Sequence, residues 1–121
     1  KTPLPEVVIS STIIDGKIHL TVSNESSVVY LLPTDEIEQE TRPLKNNQIA
    51  HDFKIKNPKS FTEILPGKAI QTVYETSLEC SLAPTIIVFR FDFYSKRDTG
   101  TLMRHYYQEI LQCHTYKEGF F

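Results

Sequence analysis

The chain has 121 residues with 13 basic and 15 acidic side chains, so its formal net charge is −2. Hydrophobic residues make up 40% and charged residues 23%, a composition that predicts one ordinary globular domain over residues 1–121 and argues against wholesale disorder. The balanced charge gives no electrostatic reason to expect nucleic acid as a partner, and no apolar run reaches the roughly 20 residues that span a bilayer.

Strand-like segments separated by turn signals occupy the first third of the chain. Residues 6–15 (EVVISSTIID) are rich in β-branched side chains and end at an Asp-Gly pair, which favours a hairpin. Residues 17–23 (KIHLTVS) alternate apolar and polar side chains, the pattern of a half-buried strand. Residues 24–27 predict a turn, and residues 28–32 (VVYLL) predict a third strand.

Residues 34–47 lose this alternation and predict a long surface connection with Ile37 and Leu44 as its apolar anchors. The DxDxDG spacing of a calcium loop is absent, so a metal site is disfavoured. The single sign of charge favours electrostatic docking onto a basic protein partner. The candidate partner-binding residues here are the four carboxylates, Asp35, Glu36, Glu38 and Glu40.

Three more strands are predicted before the C-terminal segment. Residues 48–57 (QIAHDFKIKN) resume β character, and Leu65-Pro66-Gly67 marks a turn before an alternating strand that includes Tyr74. Residues 85–95 (TIIVFRFDFYS) give the clearest strand signal of the chain. One apolar face of that strand is predicted to contain Ile87, Phe89, Phe91 and Phe93.

Residues 102–111 (LMRHYYQEIL) fit either a helix or a strand. Their apolar residues recur at i, i+4 and i+8, and a helix at about 101–113 would make the fold α+β. We favour a strand, because Tyr106-Tyr107 has strand propensity and a short Gly-containing connection precedes it. The resulting prediction is an all-β, antiparallel, immunoglobulin-like sandwich of about seven strands.

The two cysteines, Cys80 and Cys113, predict one disulfide in an oxidising compartment. If the last hairpin turns near Asp98, Cys113 lies opposite about Pro84 and close to Cys80. The alternative is two unrelated buried thiols. The disulfide reading predicts a secreted or periplasmic protein, and a chain that begins at Lys1 fits either a removed signal peptide or a trimmed boundary.

Two segments carry a resemblance to known domains. KIHLTVSNESSVVYLL and ILPGKAIQTV resemble the second, third and fifth strands of immunoglobulin-like domains of bacterial envelope proteins, in which a V-x-N-x-S corner and an L-x-P-G-x turn recur. The chain has no Trp, so the core Trp of antibody domains is missing. The resemblance implies an architecture and no activity.

No catalytic, metal-binding or cofactor-binding residues are predicted. The histidines lack an HxH or HxxxH spacing, and neighbours such as Cys113 and His114 point to opposite faces of a strand. Asn24-Glu25-Ser26 is a formal glycosylation sequon, which we interpret as an exposed turn. Tyr106 and Tyr107 are added to the candidate partner-binding residues, because exposed aromatic side chains are enriched in protein interfaces.

These observations predict a non-enzymatic protein-binding module, with an inhibitor or immunity-type protein that blocks a partner enzyme as one form of it. One alternative is an accessory or adhesive immunoglobulin-like domain of a larger surface protein. A second alternative is a metal-dependent enzyme.

Overall fold

The computed structural model describes residues 7–55, 58–78 and 85–114. Within these ranges the chain forms ten β-strands, one short 3-10 helix (Lys45–Asn47) and no α-helix. The strands are β1 (Val7–Ile14), β2 (Lys17–Asn24), β3 (Val29–Pro33), β4 (Glu38–Pro43), β5 (Ile49–Ile55), β6 (Phe61–Ile64), β7 (Ala69–Glu75), β8 (Thr85–Lys96), β9 (Leu102–Leu111) and β10 (Cys113–His114). The all-β prediction is confirmed. The alternative prediction of a helix at about 101–113 is wrong, because Leu102–Leu111 form a strand. The described residues contain more strands than the seven expected.

The strands are arranged in two sheets. The first sheet has the order β10-β1-β2-β7, and the second has β4-β5-β8-β3-β6 with β9 added to β8. Strand β8 is long enough to pair with three other strands. Its first half pairs with β5 and its last residues pair with β3 on one edge, while β9 pairs along almost its whole length on the other edge.

Among the described strands two ladders are parallel, which corrects the expectation of a purely antiparallel fold. Strand β5 runs parallel to β8, with Phe53 beside Phe89. Strand β10 runs parallel to β1, with Cys113 beside Ile13. Cys113 therefore joins the first sheet rather than continuing opposite β8. Cys80 lies outside the described residues, so the Cys80–Cys113 disulfide stays a prediction.

The core lies between the two sheets, because strands such as β2 and β8 place apolar residues on the inner side at alternate positions. The predicted faces are confirmed: Ile18, Leu20 and Val22 of β2 are buried, as are the four apolar residues of β8. Aromatic rings join the layers, since the Phe89 ring lies 5.5 Å from the ring of Tyr74 on β7.

The acidic segment contains a strand that its sequence did not indicate. All six residues of β4 are exposed, so alternation of apolar and polar residues is absent there. The strand exists because its backbone pairs with β5, from Glu38 beside Lys54 to Pro43 beside Ile49. Ile37 packs against the core as expected, whereas Leu44 is exposed and is not an anchor.

The turn after β2 is built around the Asn24 side chain. Its Nδ2 donates to the carbonyl oxygens of Val28 (2.8 Å) and Ile64 (2.7 Å). Its Oδ1 accepts hydrogen bonds from the backbone N–H (3.0 Å) and the hydroxyl (2.7 Å) of Ser26. The predicted turn follows β2, with Glu25 and Ser27 exposed. The Asn24 side chain itself is 0% exposed, and its amide nitrogen is already bonded.

Tyr74 makes the stability of the fold dependent on alkaline pH. Its hydroxyl donates to the Pro33 carbonyl at 2.9 Å, and burial raises its pKa from 10.0 to about 12. Because the pKa is higher in the folded than in the unfolded chain, this contribution to stability is complete below about pH 10 and is lost as the pH rises towards about 12.

We expect urea titrations of Tyr74→Phe to show a smaller alkaline loss of stability than wild type. The control Tyr106→Phe removes the hydroxyl of an exposed tyrosine and should keep the wild-type dependence of stability on pH. The same dependence in wild type and both variants would contradict the expectation.

Candidate functional site

We call the side of the second sheet that faces away from the core the outer face. The pairing registers and the alternation of side chains along each strand define its members. On β4, β5, β8 and β9 they are Glu38, Glu40 and Arg42 of β4; Ala50, Asp52 and Lys54 of β5; Ile86, Val88, Arg90, Asp92, Tyr94 and Lys96 of β8; and Leu102, Arg104, Tyr106, Gln108 and Ile110 of β9. The registers also place Val29 and Leu31 of β3 and Phe61 and Glu63 of β6 on this face.

A buried carboxylate, Asp52, holds the middle of the outer face together. The Arg90 guanidinium donates to both of its oxygens, from Nε at 3.0 Å and from the terminal nitrogen at 2.8 Å. Arg42 lies 3.9 Å from the same carboxylate. Asp52 is only 3% exposed although it points away from the core, because these long side chains cover it. The pKa of Arg90 is raised, mainly by its hydrogen bond to Asp52 and to a smaller extent by an interaction with the Tyr106 hydroxyl.

A second ion pair lies beside this cluster on the same face. The Lys54 ammonium is 3.1 Å from the carboxylate of Glu40, and its hydrogen bond and charge lower the Glu40 pKa. Glu38 is exposed and lies in register with Lys54. Glu40 of β4 is therefore paired with Lys54 of β5, and Asp52 of β5 with Arg90 of β8, so the outer face carries both signs of charge instead of a single negative one.

Strand β9 contributes the exposed apolar part of the outer face. Among the large hydrophobic side chains in the described ranges, the three most exposed are Ile110 (64%), Tyr106 (58%) and Leu102 (50%), all on this strand. The Tyr106 hydroxyl donates to Gln108 at 2.7 Å, which holds the ring along the strand. Ile110 and Glu40 belong to one cross-strand row, through Val88 and Asp52.

The structure brings three of the six predicted partner-binding residues onto the outer face: Glu38, Glu40 and Tyr106. Asp35 instead caps a loop, since its carboxylate accepts backbone hydrogen bonds from Lys59 (3.1 Å) and Ser60 (3.0 Å). Glu36 is exposed in the segment before β4.

Tyr107 is partly buried and points between the sheets, so it does not lie on the outer face, and its role in partner binding stays a prediction. Its ring lies 5.1 Å from the ring of Phe91, and its hydroxyl is 2.6 Å from Ser11 Oγ of β1. Burial raises the pKa of its hydroxyl. Tyr106 and Tyr107 differ because successive residues of a strand point to opposite sides.

The tip of the β8–β9 hairpin has a groove of about 420 Å³ that includes Ser95, Arg97 and His105. The hydroxyl of buried Ser95 lies 2.9 Å from His105 Nε2, and the imidazole stacks on Phe93 at 5.1 Å. Sequence reasoning missed this pair because it is formed only when the two strands are in register. The contacts anchor the hairpin tip on the inner side of the second sheet.

Metal-ligand clusters and membrane-spanning helices are both absent from the part of the chain that the structure describes. No three His, Cys, Asp or Glu side chains in residues 7–55, 58–78 and 85–114 are grouped as metal ligands would be. Over the same ranges, no helix has the length and hydropathy needed to cross a bilayer.

Comparison with known proteins found no matching family, no similar curated protein and no similar solved structure.

Proposed function

We propose that the protein is a non-enzymatic binding module that contacts another protein through the outer face of the second sheet. The observation that carries the proposal is the coincidence of the three most exposed large apolar side chains, on β9, with a network of held charges on β4, β5 and β8. Exposed apolar groups next to ordered polar groups are characteristic of sites where a partner excludes water.

The charges of the outer face favour selectivity in binding. Arg90 is held by both oxygens of Asp52, and Lys54 is held by Glu40, so little side-chain entropy remains to be lost when a partner docks. The exposed carboxylate of Glu38 favours a partner that presents a basic group at this end of the face, and charge complementarity of this kind raises the rate of association.

The immunoglobulin-like envelope type, a secreted or periplasmic location and an inhibitor or immunity role belong to the same proposal. An all-β body of two sheets supports this reading in its architecture. The resemblance of the segments around Asn24 and Leu65-Pro66-Gly67 supports it in its sequence, because both segments form turns in the structure.

We expect the double variant Tyr106→Ser/Ile110→Ser to lose most of its affinity for a physiological partner. Immobilised wild-type protein would be used to isolate a saturable binder from an extract of the cells that make it. The binder would then be purified and titrated against each variant by calorimetry. Removing two central apolar contacts should weaken binding about 30-fold or more, since interface hot spots contribute more than about 1 kcal/mol each. Glu38→Gln/Glu40→Gln should mainly reduce the association rate and its dependence on salt.

The matched control is Val8→Ser/Val73→Ser. These two exposed residues lie on the opposite side of the molecule, on β1 and β7 of the first sheet. The control should bind like wild type, and circular dichroism should show that every variant is folded. Equal affinity of the Tyr106→Ser/Ile110→Ser variant and wild type would overturn the proposal, as would a control that loses binding to the same degree.

A further inference from the structure

Strand β9 offers a long backbone edge to a neighbour. Among the described residues, β9 pairs with β8 on one side and with no strand on the other. Its ten residues, LMRHYYQEIL, contain neither Pro nor Gly, and its ten register pairs with β8 follow without interruption. Proteins usually protect such edges by prolines, bulges or short length, because unpaired N–H and C=O groups are a template for another strand.

The outer-face residues of β9 form a pattern that is its own complement. Moving outward from Tyr106, both directions give first a polar and then an apolar residue. The series is Leu102, Arg104, Tyr106, Gln108, Ile110. If a second β9 runs antiparallel with Tyr106 beside Tyr106, Leu102 lies opposite Ile110 and Arg104 lies opposite Gln108. A symmetric dimer requires this property, since each residue must meet its counterpart from the same patch.

We propose that two copies of the chain pair through β9, antiparallel and about an axis at Tyr106. Pairing from Leu102 to Ile110 satisfies the exposed edges with about eight to ten backbone hydrogen bonds. It also forms a Tyr106–Tyr106 contact between two Leu102–Ile110 contacts, and cross-strand pairs of these kinds are favourable. The second sheets of the two copies then join into one continuous sheet.

The inner side of the same edge is compatible with this register. His105 lies opposite Tyr107 of the second copy, and Met103 lies opposite Glu109 of the second copy. Glu109 is exposed and Met103 is partly exposed, so the carboxylate keeps water contact at this pair. A shift of the register by one residue, or by any odd number, would place outer-face side chains opposite inner-face ones. Such registers are therefore excluded.

Dimerisation through β9 goes beyond the proposed function, because it concerns the strand edge and uses only this chain. It is measured on purified protein with no other component. Failure to dimerise would leave the binding of a different protein by the outer face untouched. Failure to find such a partner would equally leave the dimer measurable.

Cysteine cross-linking tests the register directly. With Tyr106→Cys the two new thiols lie directly opposite each other across the axis, within the Cα separation of about 5.5 Å that a disulfide needs. The matched control is Arg104→Cys, whose two copies are separated by four residues along the strands, or about 14 Å. We expect mild oxidation to link Tyr106→Cys about tenfold faster or more than Arg104→Cys. Peptide mapping distinguishes the new bond from bonds made by the native Cys80 and Cys113.

Sedimentation equilibrium provides the second test. Wild-type protein should reach twice its mass of 14.0 kDa as concentration rises from the micromolar towards the millimolar range. Leu102→Glu and Ile110→Lys should each weaken the dimer about tenfold, because each change affects two symmetric contacts. The double variant should recover, since Glu at 102 then meets Lys at 110 of the second copy. A mass of 14.0 kDa at every concentration would overturn the proposal, and so would equal linking rates for the two cysteine variants.

Discussion

Asn24→Ala should destabilise the protein by about 3 kcal/mol, a large loss for the removal of one polar side chain. The side chain makes four hydrogen bonds that join the end of β2 to the turn before β3 and to Ile64 of β6. Its removal takes the amide donor from the buried bond to the Ile64 carbonyl, whereas the Val28 carbonyl keeps the Ser26 hydroxyl as a donor. Chemical denaturation gives the free energy directly, and calorimetry should show a melting temperature lower by roughly 10 °C.

Two variants make this expectation specific to the amide group. Asn24→Asp keeps the shape but presents a carboxylate to the carbonyl oxygens of Val28 and Ile64, so it should destabilise at least as much as alanine. Ser27→Ala changes an exposed residue of the same turn and should be nearly neutral. A loss of less than about 1 kcal/mol for Asn24→Ala would show that the four bonds contribute little.

Arg90→Met should also destabilise strongly, by about 3 kcal/mol, because it leaves the carboxylate of Asp52 buried without its main partner. Removing the other partner, by Asp52→Leu, should lower the free energy of unfolding by less. It leaves guanidinium groups that are partly exposed and that water can solvate. The order of the two effects follows from burial of the acid and exposure of the base, and denaturation curves of the two single variants measure it.

The double variant Arg90→Met/Asp52→Leu separates the two contributions. Replacing both partners by apolar groups removes the desolvated charge together with its counterion, so the double variant should be more stable than Arg90→Met alone. A double-mutant cycle gives the coupling free energy. If the free-energy changes of the two single variants add up to that of the double variant, the coupling free energy is zero. The hydrogen bonds at 2.8–3.0 Å between Arg90 and Asp52 would then not stabilise the fold as a pair.

The core and most strands could be predicted from the sequence, because a face buried on one side produces a two-residue alternation. Ile18, Leu20 and Val22 on β2, and Phe89 and its neighbours on β8, follow that rule and are buried. The choice of a strand at β9 depended on a weaker balance, since the i, i+4, i+8 series Leu102, Tyr106 and Ile110 also fits a helix. The need of β8 for a partner correctly decided it.

What the pattern could not predict depends on contacts between distant segments. Strand β4 has no buried face, so only its backbone pairing with β5 defines it. The Asp52–Arg90 pair crosses a parallel ladder between β5 and β8, and short-range periodicity does not predict parallel pairing. For the same reason Asp52 was not recognised as the centre of the outer face, whereas Glu38, Glu40 and Tyr106 were named from charge and residue type alone.

The parallel pairing of β10 with β1 has a consequence for biosynthesis. Ile13 pairs with Cys113 and Ile14 with His114, so one edge of the first sheet is made from both ends of the described chain. During translation that edge stays incomplete until the C-terminal segment has left the ribosome. Such distant pairings also raise contact order, which places folding in the millisecond-to-second range typical of β-sandwiches. A chain that ends before Cys113 should therefore lack the final ladder, and amide exchange should increase only near Ile13 and Ile14, since β1 remains paired with β2.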